Sequence, residues 1–253
     1  MQFNYGNPWL FLGIYPHYSC GQFLISCLSL ANELCIVGTD EIVDQCLEGI
    51  DTKQKLSYLI KSLPLPTDSY WHERFYSSGR WYSNASWAKQ TMDVEDDSTG
   101  SIISGLTSTM RSYMDMRWRD KAKQVSNSRL GFLLAGHDQF ELDGWQQILG
   151  QRKYFTVGNY EKIRDLMLDL KNKKKKDLIK WHDDNSPYKP SGMVFDVEAL
   201  LRDDKIFITQ MKAAYEYFCI TGLDEEALLI LKKSYIKSCL DFRLTSKIKG
   251  NTI

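Results

Sequence analysis

Three segments carry groups suited to chemistry on an anion or a hydroxyl. The first reads Gly13-Ile14-Tyr15-Pro16-His17-Tyr18-Ser19-Cys20-Gly21-Gln22-Phe23-Leu24: an apolar stretch, a turn with small residues and a helix start. Such a turn aims backbone N–H groups and the positive end of a helix at one point, which suits a phosphate or sulfate. Ser19 and Gln22 add side-chain donors, and Gly21 lets a ligand come close to the backbone. There is no Gly-Lys-Ser/Thr, so this is not a Walker A motif. The competing reading is an ordinary strand-to-helix turn.

The second candidate is His137, followed by Asp138, directly after the run GFLLAG at 131–136. Parallel-sheet enzymes place catalytic groups at that end of a strand, and an imidazole there takes a proton from a hydroxyl. A capping or packing histidine is the alternative. The third is YFTVGNY at 154–160, another strand running into a helix. Asn159 fits a helix N-cap by residue type, and its side chain could also meet a ligand at the same sheet edge. Trp181-His182-Asp183-Asp184 sets metal-binding residue types side by side in a loop. That spacing is a poor metal signal, and no metal is assigned.

The elements that must position these residues follow from periodicity. Strand signals stand at 9–15 (WLFLGIY), 34–37, 131–136, 154–157 and 193–195. Between them, apolar residues recur at helical spacing: Leu24, Cys27, Leu28 and Ala31; Leu56, Leu59, Ile60 and Leu63; the stretch 140–149; and Ile163, Leu166, Met167 and Leu170. Two helices follow the last strand, one lined by Phe207, Met211, Ala214, Tyr215 and Phe218, the other by Leu228, Leu231, Tyr235 and Cys239. Strands alternating with helices predict an α/β fold, a mainly parallel sheet with helices on both faces.

The segment 67–128 breaks this pattern. It mixes Ser, Gly, Asn and Asp with Tyr70, Trp71, Phe75, Tyr76, Trp81, Tyr82, Trp87, Tyr113 and Trp118. It reads as an aromatic-rich insertion or lid with one or two helices, within a single domain spanning 1–253. The lysine run at 171–176 ends a helix, where cations oppose the negative dipole end. A solvated face explains it, and an anion-binding patch is the alternative.

Composition narrows the function class. Hydrophobic residues are 43% and charged residues 25% of 253, the balance of a globular chain that buries a core without staples. Lys plus Arg equals Asp plus Glu at 32 each, so no global charge draws the chain to nucleic acid or an anionic membrane. Cys20, Cys27, Cys35, Cys46, Cys219 and Cys239 form no C-x-x-C pair and no zinc spacing. They read as reduced thiols, and no leader-type segment or membrane-length apolar run stands in the sequence. The expected location is cytoplasmic.

In order, these segments resemble the sulfotransferase family, with its P-loop NTPase-like fold. Members open with a strand, a Pro-Lys-Ser-Gly-Thr-Thr type loop that holds the phosphosulfate end of 3′-phosphoadenosine 5′-phosphosulfate, and a helix beginning Trp-Leu. Here Pro16 matches, and Ser19-Cys20-Gly21-Gln22-Phe23-Leu24 lies over Ser-Gly-Thr-Thr-Trp-Leu with one extra residue between. His137 falls at the family's catalytic histidine, and Gly158-Asn159 at an Arg-Asn pair that binds the 3′-phosphate. The segment Val194-Phe195-Asp196-Val197-Glu198-Ala199-Leu200 is similar to the family's late strand, acidic residue and Leu. Uncharacterised sulfotransferase-like proteins of marine phages and bacteria look similar. The likeness covers 9–63 and 129–241. The first loop has no Lys, leaving His17 as its cation, and Gly158 replaces the Arg, leaving Arg164 as a substitute.

The resemblance implies 3′-phosphoadenosine 5′-phosphosulfate bound by Ser19, Cys20, Gly21, Gln22, Phe23, Asn159 and Arg164. His137 would deprotonate a hydroxyl or amine of a small-molecule or glycan acceptor, with His17 assisting. The alternative is a non-catalytic binding or assembly module that retains the fold. A nucleotide kinase-like enzyme is disfavoured by the missing Gly-Lys-Ser/Thr and by the absence of a clear Mg²⁺ carboxylate after a strand.

Overall fold

The computed structural model describes residues 10–16, 18–36, 40–63, 130–131, 133–169 and 188–239. His17, the 67–128 segment, the lysine run 171–176 and residues 181–184 lie outside the described residues.

The first strand, β1 (Phe11–Ile14), is buried at all four positions. Successive strand residues face opposite sides of a sheet, so both faces of β1 are covered, as a central parallel strand requires. After the turn come α1 (Gly21–Leu28), α2 (Asp40–Glu48) and α3 (Thr52–Ser62). Then follow β2 (Leu133–Gly136), α4 (Gln139–Leu149), β3 (Tyr154–Gly158), α5 (Glu161–Asp169), β4 (Met193–Asp196), α6 (Val197–Arg202), α7 (Asp204–Phe218) and α8 (Glu225–Cys239). The predicted α/β class holds. The helices α2 and α6 are additions to the sequence-based expectation.

The four strands pair only in parallel, in the order β2-β1-β3-β4. Gly13 sits opposite Ala135 on one side and Phe155 on the other. A Cβ on Gly13 would stand 2.6 Å from the Phe155 ring, so the glycine makes room for an aromatic on the next strand. Leu34 forms an isolated parallel bridge with Gly131, just ahead of β2. This is what remains, among the described residues, of the strand expected at 34–37. From β1 the chain reaches β2 on one side, then crosses to β3 and β4 on the other. The direction of winding therefore changes between β1 and β3, the position where open parallel sheets hold ligands.

Acidic N-caps start several helices. Asp51 and Gln54 form a reciprocal capping box on α3, while Asp138, Asp196 and Asp203 accept first-turn N–H groups of α4, α6 and α7. Each such cap is worth about 1 kcal/mol. The helix α8 packs on α1, α3 and α7. Its Tyr235 ring stacks on Phe23 of α1 at 4.4 Å, and Phe23 faces Phe207 of α7 at 5.8 Å. Beyond β4, Gln210 of α7 accepts the Asp196 N–H at 2.9 Å through Oε1 and donates through Nε2 to the Asp196 carbonyl at 3.5 Å. Among the described residues, no helix is long and apolar enough to cross a membrane.

Candidate anion site at the carboxyl edge of the sheet

Because β2, β1 and β3 are adjacent and parallel, the segments that follow them emerge at one edge. The turn after β1, His137 after β2 and Asn159 after β3 are thereby brought to the same end of the sheet.

The turn is conformationally unusual. Tyr18 (φ 62°) and Cys20 (φ 64°) both adopt left-handed backbone, which non-glycine residues seldom do. Cys20 immediately precedes α1, and its own side chain makes no capping hydrogen bond. The N–H groups of Gly21, Gln22 and Phe23 therefore begin a helix without intrahelical acceptors. A left-handed residue beside a helical one also turns successive N–H groups towards one concavity. This arrangement suits an anion.

The side chains of the turn mostly look inward. Ser19 is fully buried, and its hydroxyl donates to the Pro16 carbonyl at 2.5 Å. The Cys20 sulfur is buried and accepts from the Tyr235 hydroxyl at 3.3 Å. Phe23 belongs to the core, so only its backbone N–H can face the edge. Gln22 is half-buried. A Cβ on Gly21 would stand 2.0 Å from Tyr15 Cγ and 2.2 Å from both Cδ atoms, in severe overlap with the ring. The close approach that this glycine permits is thus made by Tyr15.

His137 is 1% exposed. Its Nδ1 lies 2.8 Å from the Tyr15 carbonyl, and its ring stands edge-on to the Tyr15 ring at 5.4 Å. A carbonyl can only accept, so Nδ1 carries the hydrogen and Nε2 is the basic nitrogen of the neutral ring. The His137 backbone N–H donates to Glu141 Oε2 at 2.5 Å, while the Glu141 N–H donates to Asp138 Oδ1 at 2.9 Å. This is a capping box displaced by one residue, and it fixes the backbone that carries the imidazole.

At β3 the expectation for Asn159 needs correction. The helix α5 begins at Glu161, and Asn159 adopts left-handed backbone (φ 50°) instead of capping it. Its side-chain amide donates to Asp196 Oδ2 at 2.7 Å, tying the end of β3 to the end of β4. Arg164 lies one turn along α5 with its guanidinium over the Tyr160 ring, 5.3 Å from the centroid. Tyr160 in turn meets Tyr188 edge-to-face at 5.9 Å.

Tyr188, which the sequence reading did not single out, marks the β1/β3 parting. Its hydroxyl accepts the Val157 N–H at 2.8 Å, donates to the Val157 carbonyl at 2.7 Å and lies 3.4 Å from the Ile14 carbonyl. It occupies the hydrogen-bonding positions that the end of β1 leaves vacant on β3. Burial, ahead of the neighbouring Tyr160 and Glu161, pushes its phenol well above the ordinary tyrosine range.

Neither Lys nor Arg occurs between Gly13 and Leu24. Among the described residues, no group of three or more His, Cys, Asp or Glu side chains could hold a metal ion. No protein-family model matches the chain, and neither the curated proteins nor the solved structures contain a match. The partners that hold the candidate residues, Tyr15, Glu141, Asp196 and Tyr188, had little sequence signal. Glu141 was the most legible, three residues after Asp138 in capping-box spacing.

Proposed function

We propose that the chain is a divergent sulfotransferase-like protein that binds a nucleotide bearing phosphate or sulfate groups, with 3′-phosphoadenosine 5′-phosphosulfate as the donor. The observation that supports this most is convergence. A helix start that the left-handed Cys20 does not cap with its side chain, a histidine whose Nε2 is its basic nitrogen, and the Asn159–Arg164 segment all reach one sheet edge at its change of winding. In this reading α1 holds the transferring group through Gly21, Gln22 and Phe23 N–H groups. His137 removes the acceptor's proton, and Arg164 supplies the cation near the end of β3. The acceptor is a hydroxyl or amine of a small molecule or glycan.

Burial favours a second reading, a non-catalytic binding or assembly module. Ser19 is satisfied by Pro16, Gly21 is covered by Tyr15, and His137 is 1% exposed. An anion site without Lys or Arg in its loop also lacks charge-assisted hydrogen bonds of about 1.5–3 kcal/mol each.

Calorimetric titration with adenosine 3′,5′-bisphosphate separates the two. The first reading expects binding that is lost in Gln22→Glu. That change puts a negative charge in the first turn, where it stabilises the helix but repels an anion. Absence of binding at roughly millimolar nucleotide, a standard free energy near −4 kcal/mol, overturns the transferase reading and leaves the module.

A further inference from the structure

At the amino edge of the sheet, opposite the candidate anion site, two nucleophilic side chains from distant segments meet. Lys153 immediately precedes β3, and its carbonyl accepts the Leu12 N–H of β1 at 3.2 Å. Cys219 is the C-cap of α7 and adopts left-handed backbone (φ 58°), the conformation in which helices commonly end on glycine. Lys153 Nζ donates to the Cys219 sulfur at 3.1 Å and to the Tyr217 carbonyl, in the last turn of α7, at 2.6 Å. It also stands 5.6 Å from the centroid of the Tyr217 ring. A cation on a terminal carbonyl opposes the negative end of a helix. The carbonyl and the ring together hold the nitrogen against the sulfur.

Access separates this cysteine from its neighbours in composition. Cys20, Cys27, Cys35 and Cys46 are buried, whereas Cys219 is exposed, as is Lys153. A reagent from solution therefore reaches both atoms. Sulfur is the stronger nucleophile of the two towards an activated carbonyl, and it forms a covalent intermediate that a second group can take over. An amine in contact with that sulfur is placed to receive the acyl group as an amide.

We propose that Cys219 and Lys153 form an acyl-relay modification site that takes acyl groups from thioesters of small carrier thiols. The Cys219 sulfur attacks the thioester carbonyl carbon. A new C–S bond forms, the carrier's C–S bond breaks, and the carrier leaves as a thiol with the Cys219 proton. Lys153, having given one ammonium proton to water, attacks the same carbon through Nζ. The C–N bond forms, the C–S bond to Cys219 breaks, and the sulfur takes a second proton from the nitrogen. Cys219 is restored, and no electrons are gained or lost overall. The second step is intramolecular, between side chains already in contact, where proximity gives large gains in rate. The amide keeps an N–H for the Tyr217 carbonyl but removes the charge over the Tyr217 ring.

The test incubates the full, reduced chain with acetyl-coenzyme A and follows acetylation by peptide mapping over time. Lys162 and Lys212, whose side chains are more than half exposed, are internal references. Lys153 is expected to acetylate at least about tenfold faster than either, and in Cys219→Ala to fall to their rate. In Lys153→Arg the acetyl group is expected to stay on Cys219, released by hydroxylamine. Lys153 that acetylates no faster than Lys162 and Lys212 in the wild-type protein overturns the proposal, and this comparison needs no variant. Unchanged Lys153 acetylation in Cys219→Ala overturns it as well.

Discussion

His137 Nδ1 stands 2.8 Å from the carbonyl oxygen of Tyr15, so one hydrogen bond joins the end of β2 to the first residue after β1. The candidate base is thereby oriented by the turn that would hold its substrate. The same bond makes His137 a structural tie, and the two roles separate by substitution.

Replacing His137 with Ala removes a buried ring and the donor to Tyr15, at a cost of about 2–4 kcal/mol. Replacing it with Asn keeps an N–H donor at nearly the same position and should retain most of that stability. If His137 is the base, both variants lose sulfuryl transfer while Asn retains the fold, as read by denaturant midpoints beside an acceptor assay. Full transfer by the Asn variant would restrict His137 to the structural role.

Gly21→Ala puts a methyl group 2.0 Å from Tyr15 Cγ, in overlap with the ring. Overpacking of this kind costs about 1–3 kcal/mol. The double variant Gly21→Ala/Tyr15→Ala should show non-additive stability, since the ring that clashes is gone. A double-mutant cycle measures the coupling directly.

The half-buried Tyr188 and the buried Tyr215 should respond in opposite directions to loss of the hydroxyl. Tyr188→Phe strands the Val157 N–H, at a cost of about 1–3 kcal/mol. The Tyr215 hydroxyl is buried and has no hydrogen-bond partner among the described residues. Tyr215→Phe should be neutral or stabilise by up to about 1 kcal/mol. Urea midpoints at unchanged slope report both.

Burial raises the phenols of Tyr188 and Tyr215 above their ordinary value. A group whose value is raised on folding contributes stability that is fully present below the unfolded value, about 10, and lost as pH climbs above it. Unfolding free energy should therefore fall between about pH 10 and the raised folded values, and the Tyr188→Phe/Tyr215→Phe variant should fall less steeply. Denaturant titrations across that window, on both proteins, give the comparison.

The parts of the fold written in local pattern were legible. The four-residue burial of β1 follows from WLFLGIY, and the apolar spacing of Phe207, Met211, Ala214, Tyr215 and Phe218 recurs as the buried face of α7. The missed helices had signals of their own. Ile42, Val43, Cys46 and Leu47 recur at helical spacing in α2, and Asp196 caps α6 by accepting the Ala199 N–H. The site was legible in position but not in partnership. A strand-to-helix turn at Ser19–Gly21 could be read locally. That Tyr15 would cover Gly21, or Tyr188 bond across to Val157 from 31 positions away, depends on packing between distant segments. Asn159 shows the limit most clearly: its residue type suits a cap, but a carboxylate 37 positions later offered its amide a partner.

The paired contacts of Gln210 with Asp196 bear on how the protein behaves in company. A parallel sheet left open at its last strand invites another chain to continue the ladder. Gln210 supplies one acceptor and one donor to the outer side of β4, the pair that an incoming strand would bring. Among the described residues, Gln210 thus fills the outer hydrogen-bonding position at the Asp196 end of β4. Removing its amide, as in Gln210→Leu, would leave the Asp196 N–H and carbonyl without that partner.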